Sequence, residues 1–201
     1  MNNYEYIIAS LPNIQVDSSQ HLDTDCIIEE IKDQLSKKDL DLFEFFLSGY
    51  QADNLNADFY NKALQCSCRF IREYFSFDLG LRNCKVSYLN DALERPAGTD
   101  ILILDQDKEN PQFEYADEIM SIFGNRDIVK REKALDDKMW EVIDELSAME
   151  VFSLDLILSI VAKIKIIDRW LKLDAETGKA YFRQLVNEIR ETYDNKKKQQ
   201  I

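Results

Sequence analysis

The sequence predicts a mostly α fold: a multi-helix bundle with two related helical halves and at most one short two-stranded β element. Three observations carry this. Five Gly and three Pro in 201 residues leave little turn chemistry for a many-stranded sheet. Leu, Ile, Lys, Glu and Asp recur in long unbroken runs with helical spacing. A nine-residue word also occurs twice, as EYFSFDLGL at 73–81 and EVFSLDLIL at 150–158, with six of nine positions identical. Such an echo suggests one helical unit used twice. The length suits a single compact unit with an N-terminal helical half at 1–96, an acidic connector at 97–125 and a C-terminal helical half at 126–201.

Taken in order, residues 4–12, YEYIIASLP, make an apolar segment stopped by Pro12, fit for an edge strand or a short helix. Residues 13–20 are polar and read as a loop. Asp23 or Thr24 caps a helix that places Ile27, Ile28, Ile31 and Leu35 on one face. Ser36-Lys37-Lys38 breaks it, and Asp39 caps a second helix carrying Leu40, Leu42, Phe43, Phe46, Leu47 and Tyr50, giving an αα-hairpin. Phe59, Ala63, Leu64, Cys68, Ile71 and Phe75 predict one long helix from about Asp58, with the helical signal continuing to Leu93 and stopping at Pro96.

Residues 99–105, TDILILD, have the length and composition of a strand, with residues 6–9 as partner; a buried helical turn is the alternative. A short helix over 115–123 ends at Gly124 and Asn125. Asp127 caps the next, which runs to about Met149 with Ile128, Leu135, Met139, Ile143 and Leu146 inward. Residues 150–173 have the densest apolar content and predict a helix buried on most sides. Asp174 caps a last helix through Phe182, Leu185, Val186, Ile189 and Tyr193, before a polar tail.

A net charge of −13 repels nucleic acid and anionic lipid, and directs the chain toward solubility or a basic protein surface. The opening residues have no basic n-region and too short an apolar run for a secretory signal. Cys26, Cys66, Cys68 and Cys84 therefore read as reduced, partly buried thiols of a cytoplasmic protein. The apolar run 154–167 is broken by Asp155, Lys163 and Lys165, which argues against a membrane span.

Catalytic and cofactor patterns are missing. His21 is the one histidine, too few for an imidazole metal site, and no nucleophile-elbow pattern is present for a Ser-His-Asp relay. Asp105, Asp107 and Glu109 open like a calcium loop, but Asn110 and Ala116 stand where that loop needs Gly and Glu. No Gly-rich phosphate loop and no Glu-x-x-His pair occurs. The expectation is no catalytic residue, no metal and no cofactor. Asp78 and Asp155, the repeated acids, sit among apolar residues where a carboxylate needs a partner. Each can cap a helix start beside Ser76 or Ser153; alternatively Asp78 pairs with Arg82 four residues on.

The segments MNNYEYIIASLP, FIREYFSFDLGLRN and FSLDLILSIVAKIKIIDRWLKLDAETGKAYFRQLV resemble a bacterial family whose genes accompany V-type ATPase genes, mainly in bacteroidetes and spirochaetes. Its marks here are Tyr4-x-Tyr6, Ala9-Ser10-Leu11-Pro12, Arg82-Asn83 after the first echo, and Asp168-Arg169-Trp170 with Gly178. The likeness covers most of the chain, residues 97–125 least. The repeated acidic, Leu-rich segment is also similar in style to the repeats of the V-type ATPase socket protein, a larger all-helical part between central stalk and rotor ring. The resemblance implies a non-catalytic structural component, partnered by other V-type ATPase subunits and cytoplasmic at the inner membrane. A free helical adaptor or assembly factor for that complex is the alternative.

Overall fold

The computed structural model describes residues 4–12, 23–104 and 113–173. Among them the chain forms eight α-helices and one 3-10 turn, with no strand. The loop expected at 13–20, His21, the acidic run at 105–112 and the last helix expected after Asp174 lie outside the described residues.

Helix α1 spans Tyr4–Ser10. Tyr4, Ile7, Ile8 and Leu11 face the core, a spacing of three and four that only a helix provides, while Tyr6 is left 61% exposed. The segment is thus a short helix and not an edge strand. Helix α2, Thr24–Lys32, is capped by Asp23, whose carboxylate accepts the Cys26 N–H at 3.0 Å. Helix α3, Lys37–Ser48, starts earlier than expected. Its cap is Ser36, not Asp39. Asp39 is instead the third helical residue, in a variant of the capping box. Its Oδ2 accepts the Ser36 hydroxyl at 2.6 Å and the Tyr4 hydroxyl at 2.9 Å.

The single long helix expected from Asp58 is two. Helix α4, Ala57–Leu64, is capped by Asn56, and α5, Arg69–Ala92, follows after a break at 65–68. Arg72 Nη1 holds that break by donating to the Cys66 carbonyl at 2.9 Å. No Pro or Gly marks this turn, so the apolar spacing runs straight across it. Cys66 and Cys68 consequently lie in the break, not on one helix. Helix α5 closes with a Schellman pattern: Arg95 N–H reaches the Asn90 carbonyl, Glu94 N–H reaches that of Asp91, and Glu94 stands at φ 52°.

The expected strand at 99–105 does not form among the described residues. Asn83 replaces its partner: its Nδ2 donates to the Leu102 carbonyl at 2.9 Å and its Oδ1 accepts the Leu102 N–H at 3.0 Å. One side-chain amide thus satisfies both backbone groups that a neighbouring strand would take. Leu104 is then buried.

Helix α6 spans Ala116–Phe123; α7, Ile128–Ser147, is capped by Asp127; α8, Leu154–Leu171, is capped by Ser153, whose hydroxyl accepts the Leu156 N–H at 3.2 Å. Ile128, expected inward on α7, is 63% exposed at its first turn. Helix α8 packs on α1, α2, α3, α5 and α7, and α5 packs on α4, α6, α7 and α8. Ile157, Leu158, Val161, Ala162 and Ile164 are all fully buried on α8. At about 1.5–3 kcal/mol for each large aliphatic side chain, this helix is a principal source of cohesion. The α5 side of the core is aromatic: Phe46 meets the rings of Tyr50, Phe70, Tyr74 and Phe75.

The two echoes occupy different settings. Residues 73–81 lie in the middle of α5, with Phe75 buried and Ser76 exposed. Residues 150–158 form the turn into α8, where Phe152 is exposed and Ser153 is the cap. Asp78 is therefore no helix-start acid, and Ser76 caps nothing.

Candidate functional site

Asp78 faces inward from mid-α5, 9% exposed, and a buried carboxylate must be paired and hydrogen-bonded. Arg82, one helical turn on, donates through Nε at 2.8 Å, the i, i+4 pairing expected as the alternative. Tyr60 of α4 adds its hydroxyl at 2.7 Å. Burial, and after it the Asp78 charge, holds the Tyr60 hydroxyl far above the usual phenol value. Burial of Arg82 works against its charge, but Asp78 more than offsets this and leaves the guanidinium more firmly protonated.

The three consecutive residues Asp168, Arg169 and Trp170 divide their work. Asp168 stays on its own helix and accepts Lys172 Nζ at 2.7 Å. Arg169 and Trp170 converge on Asp136 of α7: the guanidinium ion-pairs with it, and the indole Nε1 donates at 2.6 Å. Arg169 also lies over the Trp170 ring, 5.8 Å from its centroid. Burial pushes the Asp136 carboxyl upward, opposed by Arg169 and by the Trp170 N–H.

These groups border one cleft of ≈ 320 Å³. Its walls are stripes of three helices: Tyr74, Phe75, Asp78, Leu81, Arg82 and Lys85 of α5, then Glu132, Leu135, Asp136 and Met139 of α7, then Lys165, Ile166 and Arg169 of α8. Steps of three and four gather each set on one side of its helix. The turn after α3 closes one side with Gly49 and Tyr50, and the Tyr50 hydroxyl sits 2.9 Å from that of Tyr74. Gly49 is required there, since a Cβ would come within 2.3 Å of the Phe75 ring. Burial and the Asp78 charge keep the Tyr74 hydroxyl protonated. Lys165 is pulled below the usual lysine value by burial, against the fields of Asp168 and Asp25.

Asp78, Arg82 and Arg169 thus meet in one place, although α5 and α8 lie far apart along the chain. Trp170 reaches the same cleft through Asp136. Asn83, Asp155 and Asp168 do not line it. Asn83 holds residue 102, and Asp155 holds the start of α5, accepting the Phe70 N–H at 3.3 Å and the Cys68 thiol at 3.1 Å. Sequence reasoning missed Tyr60, Asp136 and Lys165. A signal existed for Asp136: Glu132, Leu135, Asp136 and Met139 share a helical face, and two acids on an otherwise inward stripe call for cationic partners.

Among the described residues no group of three or more His, Cys, Asp or Glu is placed to hold a metal ion, and no helix is long and apolar enough to cross a membrane. A family model described as protein of unknown function (DUF2764) matches residues 1–56 and 50–193, and the chain belongs to that family. No curated protein and no solved structure matches it.

Proposed function

We propose that this chain is a non-catalytic structural component of a V-type, rotary ion-translocating ATPase, a socket that links the central stalk to the membrane rotor. The observation that carries this reading is the resemblance in sequence, above all at Arg82-Asn83 and Asp168-Arg169-Trp170. Its partners are the other V-type ATPase subunits, and it sits in the cytoplasm, peripheral to the inner membrane through the complex.

The mechanical requirement on such a part is stiffness: torque must pass through it without dissipating in loose helices. Support comes from how the marked residues are spent. Arg169 and Trp170 fasten α8 to α7, Asp155 fastens α8 to α5, and Asn83 fastens the segment after α5 back to it. Asp78 joins α5 to α4 through Tyr60. The acidic chain is suited to basic surfaces on stalk or ring loops, where complementary charge sets the rate and register of docking.

Affinity purification of the tagged protein from gently solubilised membranes tests the reading. Recovery of central stalk subunits and the ATPase head is the expected result; recovery of the protein without any rotary subunit contradicts it. Association confined to assembling complexes would assign the chain instead as an assembly factor.

A further inference from the structure

Seven charged side chains line the cleft between α5, α7 and α8, and their pairing is unequal. Asp78 is engaged by Arg82, Asp136 by Arg169 and Trp170, and Glu132 by Lys85 and Arg169, each of these last two at 4.0 Å. Three acids thereby face four bases, and Lys165 makes no ion pair and no hydrogen bond among the described residues. Asp25 and Asp168 act on it from beyond ion-pair distance, and Asp168 is itself committed to Lys172. Arg82 donates to Asp78 through Nε alone, so its two terminal nitrogens are also without a partner among the described residues.

The cleft is therefore cationic by one charge in a chain whose net charge is −13. An ammonium withdrawn from water without a counter-charge is costly, and an anion beside it removes that cost. Much of the remaining wall is apolar: Tyr74, Leu135 and Met139. Its ≈ 320 Å³ lies near the lower end of small-molecule sites, which begin at about 300 Å³.

We propose that this cleft binds a small organic carboxylate, its anionic group held by Lys165 and the free end of the Arg82 guanidinium, its apolar body held by Tyr74, Leu135 and Met139. One excess positive charge matches a monoanion. A dianion such as a phosphate monoester would leave a second charge uncompensated next to Asp78 and Asp136. This site is independent of the assembly role, since it is complete within one chain.

The test is calorimetric or NMR titration of the full chain with benzoate, with neutral benzamide and with inorganic phosphate. Benzoate binds saturably, benzamide at least tenfold more weakly, and phosphate more weakly than benzoate. Lys165→Met lowers the benzoate affinity at least tenfold, and Lys165→Arg restores most of it, each with an unchanged helical circular dichroism spectrum. Absence of saturable benzoate binding overturns the proposal, as does benzamide or phosphate binding as tightly as benzoate. Undiminished binding by a folded Lys165→Met overturns it too. Should that variant not fold, the benzoate–benzamide contrast on the native chain decides.

Discussion

Asp155, in the first turn of α8, caps the start of α5: its Oδ2 accepts the Phe70 N–H at 3.3 Å. The N-cap position of α5 is Cys68, which makes no side-chain cap bond of its own. An acid of one helix thus supplies the cap that the other lacks, and one carboxylate sits favourably near two helix N-termini. Asp155→Ala should lower stability by about 1–2 kcal/mol in urea denaturation, with Asp155→Asn, which keeps an acceptor, losing less. Equal stability of wild type and Asp155→Ala would show that the contact contributes nothing.

The same carboxylate accepts the Cys68 thiol, and the thiol is pushed up to about 12, by burial first and with Asp155 adding to it. A thiol so held is a poor nucleophile. Iodoacetamide at neutral pH should therefore modify exposed Cys26 well before Cys68, as read by peptide mass spectrometry of the native protein. The folded value lies above the ordinary 9.0, so the stabilisation is complete below about pH 9 and is lost as pH rises toward about 12. Relative to Cys68→Ala, the wild type should lose stability over that alkaline window.

Asp136 gives the acid-side counterpart. Burial raises its carboxyl above the ordinary 3.8 despite Arg169 and Trp170. The folded state then binds the proton more tightly than the unfolded chain, so this group favours folding most below the unfolded value and less as pH rises through the folded one. Asp136→Asn should remove that pH dependence while keeping an acceptor for the indole. Trp170→Phe deletes the N–H donor and should cost about 1 kcal/mol, measured by chemical denaturation at neutral pH.

Two backbone positions should respond with opposite signs. Gly80 lies against Phe113, whose ring would stand 2.3 Å from an added Cβ. Gly80→Ala should destabilise by about 1–2 kcal/mol, because overpacking exceeds the helix-propensity gain of about 1 kcal/mol. Glu94 holds a left-handed φ of 52° at the end of α5. Glu94→Gly should raise stability by about 0.5–1 kcal/mol, since glycine accepts that geometry without a Cβ penalty. Thermal unfolding of both variants checks the pair.

Much of the fold was legible because each core helix carries its own stripe. Ile28 and Ile31, then Phe43 and Phe46, then the run from Ile157 to Ile167 announce their buried faces by spacing alone. Caps at Asp23, Asp127 and Ser153 were readable for the same local reason. What stayed hidden depends on contacts between distant segments. Nothing around residues 101–104 says that Asn83 will take the place of a strand partner, so a β-like run looked like a strand. The break between Leu64 and Arg69 carries no Gly or Pro and is held by Arg72, six residues from the carbonyl it binds. The cleft is the extreme case. Arg82 and Arg169 drew notice as parts of sequence words, yet what unites them is one cleft shared with Asp136, a residue that no motif singles out.

The reading of this chain as part of a V-type ATPase stands or falls most directly on native mass spectrometry of the enzyme purified after gentle membrane extraction. The chain should appear in the intact complex at fixed stoichiometry with the central stalk subunits. A complete, active complex that lacks it would contradict that reading.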